Sequence, residues 1–104
     1  MKKPRKLRIS NALKSRLHTS VLQGRRSTVY KMIAKKLDGQ VLCYVCGRYV
    51  KEQHASLEHI MPLSHGGTDS MDNLWISHNA CNSRRGNDLD FPCSGIPDGI
   101  TKLQ

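Results

Sequence analysis

No acidic residue occurs among the first 37 positions, which hold twelve Lys or Arg. Residues 38 to 104 carry five basic and eight acidic side chains, so the net charge of +9 divides into +12 on the N-terminal third and −3 on the remainder. A segment with no acid of its own cannot neutralise itself, and it suits a polyanionic partner, because each phosphate it neutralises releases condensed counterions. A solvated tail is the other reading of such a run, and it fits residues 1 to 9 best. The chain also lacks any apolar run approaching the ~18 residues needed to span a bilayer. Its basic N-terminus is not followed by the apolar segment of a signal peptide, and an intracellular, cytoplasmic location without membrane association is expected. Aromatics are scarce, with one Trp, three Tyr and one Phe, and only 38% of the 104 residues are apolar. The core must be small. Four cysteines supply what a small core lacks, a staple, and in a reducing compartment CxxC spacing favours a metal over a disulfide.

Local patterns divide the chain into four stretches. Residues 1 to 9, rich in Lys and Arg with Pro4, read as a flexible basic arm. Residues 10 to 39 read as a basic, DNA-contacting helical segment. Leu13, Leu17 and Val21 recur every four residues behind a Ser10 or Asn11 cap, and Gly24 interrupts them. Ser27 or Thr28 then caps a second helix with the apolar stripe Val29, Met32, Ile33 and Leu37, ended by Gly39. Arg25, Arg26, Lys31, Lys35 and Lys36 fall mainly off that stripe and are candidate phosphate contacts.

Residues 40 to 90 read as the core: a short strand, a Cys43-x2-Cys46-Gly47 turn and a return strand, then a strand over Ser56 to Ile60 ended by Pro62. A polar loop with Gly66-Gly67 follows, then apolar Leu74-Trp75-Ile76, with Trp75 expected in the core. A helix over His78 to about Gly86 completes it. Residues 91 to 104, with Pro92, Gly95, Pro97 and Gly99, read as an irregular tail. The expected class is α+β.

A structural zinc takes four Cys or His ligands, usually as two close pairs from distant parts of the chain. Cys43-x2-Cys46 and His78-x2-Cys81 meet that requirement, and on a helix the second pair shares one face. Cys93 competes for the fourth position, but the close-pair spacing favours His78. Gly47 supplies the positive φ that a tight knuckle often needs.

Cys43-x2-Cys46, Leu57-Glu58-His59-Ile60-x-Pro62, Gly66-Gly67, Asn73-Leu74 and Cys81-Asn82-x2-Arg85-Gly86-Asn87, taken in order, resemble the HNH endonuclease family over residues 43 to 87. The resemblance implies a ββα-metal fold around one catalytic divalent cation, preceded here by the two basic helices. It implies His59 as the general base, an imidazole able to accept a proton from water at neutral pH. It implies Glu58 and Asn82 as hard oxygen ligands of Mg²⁺ or Mn²⁺, and Asn73 as the brace of the intervening loop. The family more often has Asp where Glu58 stands and Cys where His78 stands, and both substitutions keep the donor chemistry. Neighbours on a regular strand face opposite ways, so an irregular strand is expected where Glu58 and His59 must serve one site.

Arg84 and Arg85 continue the helix of Asn82 and are expected to hold the scissile strand by its phosphates. His18 and His54 have no such context, and His65 reads as a solvated loop residue. The function that follows is a phosphodiester hydrolase, a zinc-stapled, metal-dependent endonuclease. It would act on double-stranded DNA, leave a 5′ phosphate and nick one strand per active site. A non-catalytic zinc-knuckle DNA-binding module is the alternative, and a structural RNA-binding protein would leave the series of Glu58, His59 and Asn82 without a purpose. Stand-alone proteins resembling this one are often phage-encoded and accompany packaging, restriction or homing, so phage packaging or host DNA-processing proteins are candidate partners. Sequence alone leaves monomer and dimer equally open.

Overall fold

The computed structural model describes residues 11–97, with side chains from Gly24 to Pro97. The basic arm and the Ser10 cap lie outside the described residues, as do the side chains of Leu13, Leu17 and Val21. The fold is α+β: helix α1 (Asn11–Lys36), strands β1 (Ala55–His59) and β2 (Leu74–His78), and helix α2 (Asn79–Arg85). One 3₁₀ turn lies between the knuckle and β1, and two lie within the β1–β2 connection.

Two expected N-terminal helices are one. α1 runs through Gly24 without a break. A glycine inside a helix costs only about 1 kcal/mol relative to Ala and leaves the backbone ladder intact, so it weakens a helix without ending it. Four residues on, Thr28 Oγ1 donates to Gly24 O at 3.1 Å instead of capping a new helix. The second predicted stripe packs as expected, with Val29 and Ile33 fully buried and Met32 and Leu37 against the core. Tyr30 joins them, and its hydroxyl donates to Val50 O at 2.6 Å, tying α1 to the end of the knuckle. Beyond Lys36 the chain turns through Asp38 (φ 53°) and Gly39 (φ 87°), where Gly39 N donates to Ala34 O at 2.7 Å.

β1 and β2 pair antiparallel from Ala55↔His78 to His59↔Leu74. Four consecutive β2 residues, Leu74 to Ser77, are buried, which requires cover on both faces of the strand. α1 and α2 both pack on the sheet. The knuckle adds to it, since Tyr44 N donates to Ile76 O at 2.8 Å and Trp75 Nε1 to Leu42 O at 3.1 Å. Trp75 is fully buried, as its apolar neighbours predict. The strand and return strand around the cysteines reduce to one bridge, Leu42↔Tyr49. Within it Gly47 takes φ 78°, and a Cβ there would lie 2.8 Å from Ser94 Oγ. Residues 91–97 form no regular element, yet Ser94 N and Gly95 N donate to Val45 O and Tyr44 O, which seats this stretch on the knuckle.

Candidate active site and metal centre

The ligand atoms of Cys43, Cys46, His78 and Cys81 all lie within 4.8 Å of one another. A tetrahedral zinc with bonds of about 2.3 Å to sulfur needs donor–donor edges of about 3.8 Å. His78 Nδ1 stands 3.5 Å from Cys46 Sγ and 3.8 Å from Cys81 Sγ, so the set can hold such an ion with little movement. On its other side His78 Nε2 lies 3.1 Å from Tyr49 O. A proton donated there leaves the Nδ1 lone pair to the metal, the usual outer-shell arrangement for a ligating histidine. His78 ends β2 at the N-cap position of α2 and Cys81 lies on the first turn of that helix, so strand, helix and knuckle all converge on the four ligands. Cys93 stands outside this group, packed part-buried against the core.

The thiols respond to crowding. Burial, and then the neighbouring Cys43, push Cys81 up to about 11. Cys46 is also pushed up by burial, but hydrogen bonds from the Arg48 backbone and the adjacent thiols outweigh this and bring it below its ordinary value. Arg84 Nη2 adds a contact to Cys81 Sγ at 3.2 Å. Cys43, Cys46 and Cys81 would be ionised if the site held a divalent cation, because a coordinating thiol loses its proton, and that would relieve their competition for negative charge.

The second assembly lies where β1 ends. A cleft of about 240 Å³ is lined by Glu58, His59 and Asn82, with Pro62, Ser64 and Asn87 among its walls. The expected irregularity of β1 is absent, since pairing stays regular through His59↔Leu74. Glu58 and His59, the last two residues of β1, nonetheless line one cleft.

Glu58 is buried, accepting from Ser77 Oγ at 2.7 Å and pairing with Arg85 Nη1. Ser77 lies diagonally across the ladder from Glu58, which places both side chains on one face. Asn82 donates its amide N–H groups to Ser56 Oγ and Leu57 O, both at 2.9 Å. These bonds fix the amide, and Asn82 lines the same cleft as Glu58.

Asn73 clamps the connection between the strands. Its Oδ1 accepts from Met61 N at 2.8 Å, and its Nδ2 donates to Met61 O at 3.0 Å and Thr68 O at 2.8 Å. The same loop folds tightly against itself at Gly67, where a Cβ would meet Met61 O at 1.8 Å. This fold carries Asp69, a residue sequence reasoning missed, back to His59, whose Nε2 lies 2.7 Å from Asp69 Oδ1. The only local signal was the glycine pair, which announces a reversal without saying which side chain it returns.

The basic candidates separate. Lys31, Lys35 and Arg84 are exposed. Arg25 is part-buried and donates to Asp69 O, joining α1 to the cleft loop, and Arg26 is also part-buried. Arg85 is 5% exposed and faces inward, donating to Glu58, to His59 O at 3.2 Å and to Ile60 O at 2.9 Å, with its guanidinium over the Tyr44 ring. His65 lies in the exposed loop with Nε2 3.0 Å from Asn87 O. No helix among the described residues is long and apolar enough to cross a membrane.

A family model described as HNH endonuclease matches residues 43–94, half of the 104-residue chain. No curated protein and no solved structure matches the chain.

Proposed function

The chain belongs to the HNH endonuclease family, and from that membership we propose that it is an active, metal-dependent endonuclease that hydrolyses a phosphodiester of double-stranded DNA. The observation that carries this reading is the single cleft shared by Glu58, His59 and Asn82. His59 Nε2 is engaged by Asp69, and Nδ1 is the nitrogen left to accept a proton. In the proposed step His59 Nδ1 takes a proton from water as the water oxygen bonds to phosphorus and the bond to the 3′ oxygen breaks. The leaving 3′ oxygen takes a proton from solvent, and the product keeps a 5′ phosphate. Glu58 and Asn82 offer the carboxylate and amide oxygens that would hold Mg²⁺ or Mn²⁺. When bound, the cation supplies Lewis-acid stabilisation of the charge developing on the phosphate and on the leaving oxygen.

Cys43, Cys46, His78 and Cys81 hold the structural zinc in this account, and Asn73 braces the loop between the two strands. One set of catalytic groups cuts one strand, so each active site nicks. Arg84 on α2 and the exposed lysines of α1 supply phosphate contacts, whereas Arg85 serves as an internal brace.

One observation favours a non-catalytic DNA-binding module instead: both carboxylate oxygens of Glu58 already have protein partners, and Arg85 offsets the charge a cation would need. Cleavage of supercoiled plasmid by zinc-loaded protein in EDTA, Mg²⁺, Mn²⁺ or added Zn²⁺ decides between them. The nuclease reading expects open circles with Mg²⁺ or Mn²⁺ and none in EDTA. Intact plasmid under every condition, with duplex binding retained, establishes the binding module.

A further inference from the structure

Asp69 belongs to none of the roles assigned above, yet its carboxylate makes the one polar contact to the His59 ring among the described residues. We infer that Asp69 is a positioning residue of the nuclease site, an inference that rests on the functional reading just given. It holds the Nε2–H of His59 so that the Nδ1 lone pair is presented to the cleft and its water.

The placement is built from the loop. Gly67 N donates to Pro62 O at 3.0 Å, and the Gly67 Cα approaches Met61 too closely for any side chain. Asn73 holds Thr68 O at 2.8 Å, and Ser70 N donates to Thr68 Oγ1 at 3.2 Å, so both neighbours of Asp69 are fixed through their own bonds. From the other side Arg25 of α1 donates to the Asp69 carbonyl. None of these bonds uses the Asp69 carboxylate. Truncating the side chain at 69 therefore leaves these named backbone supports in place.

A carboxylate beside the distal nitrogen of a catalytic imidazole does two things. It selects the tautomer and ring orientation, and it stabilises the imidazolium that forms when the proton arrives. Exposure decides their weights here. The His59 side chain is 16% exposed but that of Asp69 is 45% exposed, so water screens much of the charge stabilisation and orientation is the larger share. The expected contribution is therefore the roughly 10- to 100-fold typical of an outer-shell partner, short of the ~10⁴ that a buried carboxylate can supply.

The test compares wild type, Asp69→Ala, His59→Ala and the double variant, each zinc-loaded and full-length, in Mg²⁺-dependent cleavage of a duplex. Asp69→Ala is expected to lower kcat about 10- to 100-fold with KM and melting temperature unchanged, and to add nothing in the His59→Ala background. Nitrogen-15 spectra of the histidine rings, recorded where His59 is neutral, should show the Nε2–H tautomer in wild type and a mixture in Asp69→Ala. A kcat within twofold of wild type, an equal fall in the His59→Ala background, or an unchanged tautomer would overturn the inference. Should Asp69→Ala fail to fold, Asp69→Asn keeps the shape, removes the charge and is subject to the same criteria. If wild type itself does not cleave, the nuclease reading fails, and the ring spectra still decide whether Asp69 sets the His59 tautomer.

Discussion

Arg85 turns inward from the last turn of α2 and meets Glu58, so two opposite charges leave water together. Burying such a pair gains little overall, but removing one partner leaves an unpaired buried charge, at a cost of about 3–5 kcal/mol. Arg85→Met is therefore expected to destabilise the zinc-loaded protein by that amount in urea unfolding, and adding Glu58→Gln should recover a large part of it. A loss below 1 kcal/mol would show that the pair is open to solvent. The candidates Glu58, His59, Asn73 and Asn82 come from the HNH resemblance, whose motif is ordered along the sequence, and the structure brings Glu58, His59 and Asn82 to one cleft. The inward turn of Arg85 is not. Helical position alone leaves a long, five-donor side chain free to face solvent or fold back, and here the carbonyls of His59 and Ile60 draw it in. Asp69 is hidden for another reason, since its nearness to His59 depends on how ten residues of loop fold back.

At the scale of elements, the close pairs of the knuckle predict the ligand set, and the structure gathers that set from knuckle, β2 and α2. One zinc per chain is expected by elemental analysis. Chelation, or Cys46→Ser, should unfold the core, because structural zinc contributes on the order of 10 kcal/mol. Unchanged secondary structure after complete zinc removal would contradict this. α1 was less legible: glycine reads as punctuation in a sequence, but a helix held by tertiary packing at Val29 and Ile33 tolerates Gly24. Tyr30 ties that helix to Val50 O. Burial first, and then its Tyr49 neighbour, raise Tyr30 from 10.0 to about 12. The folded state then keeps a proton that the unfolded state gives up, so this contribution is complete below pH 10 and lost as pH rises through 12. Tyr30→Phe should flatten the fall in stability across that window. An identical slope in the two proteins would place the Tyr30 hydroxyl in water.

For the whole molecule, charge and chemistry occupy different parts of the chain. The excess positive charge precedes Asp38, and the cleft groups follow Cys46. Of the α1 cations with described side chains, Lys31, Lys35 and Lys36 are exposed, whereas Arg25 is committed to the cleft loop. Replacing the three lysines by Gln should flatten the log–log salt dependence of duplex binding by up to about 2.7, at ~0.9 per phosphate contact, and leave the saturating cleavage rate intact. An unchanged slope would assign DNA binding to other surfaces. The proposed separation between holding DNA and cutting it also defines the most direct test of the nuclease function. Zinc-loaded wild type and His59→Ala are compared on supercoiled plasmid in Mg²⁺, with duplex affinity measured alongside. The proposed general-base role of His59 predicts open-circle product from wild type, a roughly 10²- to 10⁴-fold slower rate from His59→Ala, and equal affinities. Equal cleavage rates from the two proteins would contradict it.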